Sequence, residues 1–159
     1  MQKSEESGSK LDKIALSRVG ASFTRCKKFE LPTGNVLHGL KASDSDFQKF
    51  GEVYFSFVEY QAIKGWKRHN KMSMNLLVPV GKVKFVLSKD LYCSSPHFVE
   101  VVLSCANYGR LNIPQGVWVA FAGLEKAVNL VVNVADAEHD PQEVDLIERD
   151  DVNYDWILQ

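Results

Sequence analysis

The sequence predicts an all-β protein, an antiparallel sandwich or barrel that ends in a short helical tail. Short runs rich in Val, Leu and Phe recur at roughly even spacing, and turns containing Gly or Pro separate them. Segments with the apolar period of a helix are almost absent. The 159 residues suit one domain. We place that domain at residues 11–159, after a Ser/Glu/Lys-rich, disordered or tag-like segment at residues 1–10.

The predicted elements follow the chain in order. A turn at residues 32–35 precedes a short strand at 36–40, and residues 43–46 are predicted to cap a single helical turn. The next strand is predicted at 52–59, rich in aromatic and β-branched side chains. The tail from Glu143 is expected to hold the short helix. Further strands are predicted at 76–80, 82–87, 98–103, 117–121 and 128–134.

Composition and charge argue against several classes of function. A net charge of -1 gives no reason to expect nucleic-acid binding. No apolar run reaches the length of a membrane-spanning helix, and the polar start does not resemble a signal peptide. We therefore expect no membrane association and a cytoplasmic location. The 3 cysteines lack CxxC spacing, so the sequence predicts neither a disulfide framework nor a zinc site.

The most informative stretch is residues 63–71, where four cations, one imidazole and one Trp occur together. A buried strand follows directly, and a rigid core fixes the geometry of side chains placed beside it. Strand alternation would put Lys67 and His69 on one face and Arg68 on the other. We expect this stretch to form one wall of an anion-binding pocket. A solvated basic loop is the alternative interpretation of the same composition.

The spacing of these residues resembles the two motifs of the cupins, which are small jelly-roll barrels. The three ligand positions of the first motif hold Lys67, His69 and Met74, and Val119 stands at the fourth, after the turn at 114–116. Val is no ligand, an ammonium is a poor one, and a thioether is too soft for the usual Mn, Fe or Zn. The resemblance therefore implies a cupin-type jelly roll without a metal site or cofactor. A metal-dependent cupin is the weaker alternative.

Residues 51–156 are similar to the dTDP-4-dehydrorhamnose 3,5-epimerase family, especially to a short "sugar epimerase" subgroup. The likeness rests on the residues at 63–66, 80–81 and 113–116, and on a closing run at 140–156 that begins Asp-Pro and ends near Asp-Trp. It implies an isomerase for a nucleoside-diphosphate 4-keto-6-deoxy sugar, dTDP-linked, in deoxysugar or surface-polysaccharide biosynthesis. It also implies a homodimer, because such barrels commonly share a sheet edge.

Several positions depart from that family. Its base His corresponds to Lys67, its second His to Val119, and its general-acid Tyr falls near Asn133. Lys64 occupies the family's Arg position, and the resemblance assigns it to the diphosphate or the keto oxygen. The departures leave a second hypothesis open, a catalytically inactive cupin that binds a sugar nucleotide.

Epimerisation beside a ketone needs a base, a group that stabilises the enolate, and an acid that returns the proton. Imidazole exchanges protons near neutral pH, whereas a Lys needs burial or neighbouring cations to lower its pKa. His69 and Lys67 are therefore the candidate catalytic residues. For the Asn residues a cross-strand amide bond is the alternative role, and for the Trp residues a place in the core. The candidate substrate-binding residues are Lys64, Trp66, Arg68, Asn75, Trp118 and Asn133.

Overall fold

The computed structural model describes residues 14–158, and its strands pair antiparallel in two five-stranded sheets and one small hairpin. The described part begins with helical conformation at residues 14–18. The strands in chain order are β1 (Ser22–Arg25), β2 (Lys28–Phe29), β3 (Val36–Leu37), β4 (Glu52–Phe57), β5 (Ile63–His69), β6 (Met74–Val80), β7 (Lys82–Ser88), β8 (Val99–Ser104), β9 (Gly109–Ile113), β10 (Trp118–Gly123), β11 (Leu130–Ala135) and β12 (Val144–Leu146).

The first sheet has the order β1-β9-β6-β11-β4, and the second has the order β12-β5-β10-β7-β8. Neighbouring strands are mostly distant in sequence, as the long connections of a jelly roll require. β2 and β3 form the separate hairpin around the predicted turn. The all-β, cupin-type jelly roll predicted from the sequence is confirmed. The segment at residues 1–10 lies outside the described residues, and a single domain over 11–159 stays a prediction.

Three local interpretations of the sequence differ from the structure. Residues 43–46 form turns and no helix, because the Asp44 carboxylate accepts the Lys41 N–H at 3.0 Å and Asp46 is held by Arg110 at 2.8 Å. Residues 63–69 of the basic stretch form strand β5 itself, so the solvated-loop alternative does not hold there. The helical tail takes the form of two 3-10 turns, Pro141–Glu143 and Arg149–Asp151, with β12 between them.

The apolar side chains form two separate clusters. The larger lies between the two sheets and includes Phe85, Leu103 and Leu111, each with no exposed surface. The smaller lies on the outer face of the second sheet, where Trp66 and Trp118 pack beneath the C-terminal tail. The second sheet is therefore covered on both faces, and its central strands are nearly all buried, as expected for such strands.

Candidate active site

Strand β5 presents different side chains to its two faces. Lys67 and His69 line a cavity between the sheets, whereas Trp66 is fully buried on the opposite face. Trp66 contacts Tyr154 and Trp156 of the tail with ring-centroid distances of 6.2 Å in both cases. The alternation expected from the sequence thus divides this strand into a cavity-facing side and a core-facing side.

The cavity between the sheets has a volume of about 480 Å³ and is lined mostly by apolar groups. That volume lies within the usual range for sites that bind small molecules. The second sheet contributes one wall through β5, β10 and β12, and the first sheet contributes the other through β4, β6 and β11. We call these the base wall and the facing wall. The apolar lining includes Met72, Met74, Leu76, Val119, Phe121 and Val131.

His69 on the base wall is held by a buried carboxylate. Its Nδ1 is hydrogen-bonded to Oε1 of Glu143, and the two side chains are 7% and 3% exposed. An ionised carboxylate only accepts hydrogen bonds, so Nδ1 carries the proton. In the neutral ring Nε2 then keeps its lone pair, and Nε2 has no hydrogen-bond partner among residues 14–158. His69 is therefore oriented as a proton acceptor at the cavity.

Glu143 is itself fixed by the backbone. Its Oε2 accepts the N–H groups of Lys71 at 2.7 Å and Met72 at 3.2 Å. Burial opposes ionisation, but the bonds from His69 and from these two N–H groups outweigh it, and the pKa of Glu143 lies below its ordinary value. The carboxylate consequently stays charged at neutral pH.

The local sequence explains how Glu143 reaches this position. Asp140 caps a 3-10 turn by accepting the Gln142 N–H at 2.9 Å, and Pro141 starts the turn, where its missing N–H costs nothing. The backbone carbonyl of Glu143 also accepts the Asn70 N–H at 2.8 Å. β12 then pairs with β5 so that Val144 stands opposite His69. The 3-10 turn that starts at Asp140 and Pro141 thus positions the Glu143 carboxylate beside the His69 imidazole.

Lys67 lies two residues before His69 on the same wall. Burial, and to a lesser extent the charge of Lys64, lower the pKa of Lys67, while the Glu143 charge partly opposes this. Within residues 14–158 its ammonium has no hydrogen bond or ion pair. The amine is therefore a free functional group at the cavity.

The facing wall carries the polar residues Tyr54, Ser56 and Asn133. Tyr54 and Asn133 are register partners on β4 and β11, so they lie side by side. Asn133 is 9% exposed, and its Oδ1 has no hydrogen-bond partner in the described part of the chain. The Tyr54 hydroxyl donates to Glu52, and this bond raises the pKa of Tyr54 to about 12.

Sequence reasoning missed Tyr54 and Glu143. Alternation along β4 places Tyr54 and Ser56 on one face, a signal the sequence does contain. The register that brings Tyr54 beside Asn133 pairs strands about 80 residues apart and has no local signal. Glu143 is 74 residues from His69, and nothing around it identifies a partner.

One of the candidate substrate-binding residues, Asn133, lines the cavity, and the others do not. Lys64 lies on β5, and its Nζ donates to the Phe57 carbonyl at 2.7 Å. Trp66 and Trp118 lie in the core cluster on the outer face of the second sheet, where the C-terminal tail covers them. This position agrees with the alternative role in the core, and their role in substrate binding stays a prediction.

Arg68 and Asn75 also lie away from the cavity. Arg68 binds Asp145 at 2.7 Å and lies 4.7 Å above the Trp118 ring. Asn75 accepts the Arg110 guanidinium at 2.8 Å, within a buried polar network on the other face of the first sheet. Both side chains already have these protein partners, and their role in substrate binding stays a prediction.

The described residues also bear on metal ions and membranes. Among residues 14–158 no three His, Cys, Asp or Glu side chains come together in a group that could hold a metal ion. The cupin ligand positions at Met74 and Val119 contribute apolar surface to the cavity. In the same part of the chain, every helix is too short or too polar to span a membrane.

The stacked sheets and the open cavity between them define a cupin-type jelly-roll barrel. A solved dTDP sugar isomerase from Desulfovibrio desulfuricans G20 is 33% identical, with a TM-score of 0.80 over 86% of this chain and 90% of that chain. The chain belongs to the dTDP-4-dehydrorhamnose 3,5-epimerase family and its related dTDP sugar isomerases.

Two more distant structures share the fold. The dTDP-6-deoxy-D-glucose-3,5-epimerase of Legionella pneumophila, solved with dTDP-4-keto-L-rhamnose, is 20% identical, with a TM-score of 0.73 over 87% of this chain and 79% of that chain. A 3'-monoepimerase from Streptomyces bikiniensis, solved with dTDP-quinovose, is 14% identical, with a TM-score of 0.75 over 87% and 75%. No protein-family model and no curated protein sequence matches the chain.

Proposed function

We propose that this protein is a sugar-nucleotide epimerase or isomerase that removes and returns the α-proton of a nucleoside-diphosphate 4-keto-6-deoxy sugar, dTDP-linked. One observation carries the proposal. The oriented base His69 and the protonated phenol Tyr54 lie on opposite walls of one cavity. Inverting a carbon requires a proton to leave from one face and return to the other, and this arrangement provides a group for each face.

The base wall performs the first half of the reaction. His69 accepts the α-proton at Nε2, and Glu143 stabilises the imidazolium that forms, because its carboxylate is already bonded to Nδ1. The Lys67 amine stands beside it on the same face of β5, where its N–H groups can donate hydrogen bonds to the developing enolate oxygen. The apolar lining strengthens both interactions, because it lowers the local dielectric constant.

The facing wall performs the second half. Tyr54 remains protonated at neutral pH, because its hydrogen bond to Glu52 disfavours the phenolate. When the hydroxyl turns from Glu52 to the substrate, the phenol can return a proton to the carbanion face that His69 does not reach. The free amide oxygen of Asn133 lies next to Tyr54 and accepts a hydrogen bond from a sugar hydroxyl.

The test is proton exchange on dTDP-4-keto-6-deoxyglucose in deuterated water, followed by NMR. Deuterium at C3, C5 or both is the expected result, and its position reports which carbon is enolised. His69→Ala should abolish exchange, whereas the exposed His97→Ala is the matched control. Exchange that is unchanged in both His69→Ala and Lys67→Ala contradicts the assignment. Binding without exchange in the wild type supports instead the inactive cupin, which the replaced family His and Tyr positions favour.

We further propose that two copies of the chain form a homodimer. β4 is an edge strand of the first sheet, and its outward side chains Val53, Phe55 and Phe57 are 43%, 64% and 64% exposed. An edge strand with unpaired backbone groups and exposed apolar side chains tends to associate with another chain unless something covers it. A second copy of this chain could cover β4 without a different partner protein. Sedimentation measures the assembly. Cytoplasmic residence stays a prediction that cell fractionation tests.

A further inference from the structure

The Lys67 amine differs from the neighbouring cations of β5. Lys64 donates to the Phe57 carbonyl, and Arg68 is paired with Asp145, so both are already engaged. Lys67 has no such partner among residues 14–158 and lines the cavity instead. Glu143 does not serve as its partner, because its two oxygens are occupied by His69 and by two backbone N–H groups.

The surroundings of Lys67 favour an uncharged amine. The cavity is mainly apolar, which penalises an ammonium ion that has no counter-ion. Burial and the Lys64 charge both lower the pKa of Lys67. A neutral amine is a nucleophile towards a carbonyl carbon, and desolvation is a recognised way to increase the neutral fraction of a lysine.

We propose that Lys67 acts covalently, forming an imine with the keto carbon of the sugar while His69 takes the adjacent α-proton. This inference rests on the proposed function, because it requires a keto sugar in the cavity. It gives Lys67 a role beyond that of a fixed charge.

The steps balance without a further reactant. The Nζ lone pair attacks the keto carbon, and the resulting carbinolamine hydroxyl takes up a proton from solvent and leaves as water, which gives a protonated imine. The α C–H bond then breaks towards His69 Nε2, and its electron pair forms the C=C bond of an enamine as the C=N bond becomes C–N. Proton return to the opposite face restores the imine, and water hydrolyses it to release Lys67 and the epimer. An iminium ion is the stronger electron sink, so the α-proton is more acidic than in the free ketone.

The experiment is reductive trapping of the full-length protein. The wild type is incubated with dTDP-4-keto-6-deoxyglucose and sodium cyanoborohydride, which reduces imines in preference to ketones. Intact-protein mass spectrometry followed by peptide mapping should find one sugar-nucleotide adduct, on Lys67. Lys67→Arg keeps the positive charge but cannot form an imine, so it should lose the adduct and lower exchange on the order of 100-fold. The exposed Lys89→Arg should keep both properties of the wild type.

The two proposals fail in different ways. Deuterium exchange without an adduct on Lys67, or Lys67→Arg exchanging at the wild-type rate, overturns the imine and leaves the epimerase intact. An adduct on Lys67 without exchange upholds the imine and overturns the epimerase. The absence of both overturns both. Adducts scattered over exposed lysines, with none on Lys67, overturn the imine.

Discussion

The replacement Glu143→Gln tests the orientation of His69 most directly. A Gln side chain has one acceptor and one donor end where Glu143 has two acceptors. If the amide oxygen faces the backbone N–H groups of Lys71 and Met72, its NH₂ group points at His69 Nδ1. Nδ1 must then accept, so the ring proton moves to Nε2 and the imidazole no longer functions as a base. If the amide oxygen faces His69 instead, Nδ1 keeps its proton. The amide NH₂ group then faces the backbone N–H groups of Lys71 and Met72, which lose their acceptor.

The magnitude follows from these contacts. Each buried donor left without a partner costs about 1–3 kcal/mol, so the orientation that preserves the base is disfavoured by about 2–6 kcal/mol. One tenfold change in rate corresponds to about 1.4 kcal/mol, and a general base contributes about 10²–10⁴-fold. We therefore expect deuterium exchange to fall by about 10²–10³-fold, while the fold is retained because the backbone contacts persist.

Two measurements check this prediction. Exchange rates are compared among the wild type, Glu143→Gln and the exposed control Glu125→Gln, which should match the wild type. The ¹⁵N shifts of the His69 ring report the tautomer independently of activity. If His69 in Glu143→Gln keeps its proton on Nδ1, or if exchange falls less than about threefold, the tautomer argument is refuted.

Four further predictions follow from the same geometry. Tyr54→Phe should keep α-proton exchange but reduce formation of the inverted epimer by about 10–100-fold, measured by NMR of both signals; equal losses would argue against proton return by this residue. Gly65→Ala should lower the unfolding free energy by about 3 kcal/mol or more in urea, because Gly65 has a φ of +114° and an added Cβ would lie 2.7 Å from a carbonyl oxygen of β10. Gly116→Ala, with a φ of +82° but no atom within 4 Å, is the control and should cost only about 1–2 kcal/mol. The pKa of Glu143 in the folded protein is below its ordinary value of 4.5. The stability that the ionised carboxylate contributes is therefore complete above about pH 4.5 and is lost as the pH falls through the folded-state pKa. The urea midpoint of Glu143→Gln should consequently fall less steeply between about pH 7 and 3 than that of the wild type. Phe55→Glu should shift the sedimentation profile towards monomer, and an unchanged profile would place the interface elsewhere.

The sequence predicted much of the local structure, for identifiable reasons. The period-two pattern along residues 82–87 and the Gly and Pro turns depend on neighbouring residues only, and the observed β7 and its flanking turns agree with them. The same pattern put Lys67 and His69 on one face of β5, which the cavity lining matches. The alternation also places Trp66 on the opposite face of β5 from Lys67 and His69. It does not determine which of the two faces lines the cavity and which packs against the C-terminal tail.

What the sequence alone determined about this protein is therefore seven of its twelve described strands, several of the turns between them and the side chains that share a face within a strand. The tertiary structure decided the rest. It paired β12 with β5, which brought Glu143 to His69 across 74 residues, and it set Tyr54 beside Asn133 on the facing wall. It also placed the C-terminal tail against Trp66, on the face of the second sheet opposite the cavity. The physical reason is that alternation is a local property of a strand, whereas the choice of partner strand depends on burying apolar surface from distant parts of the chain.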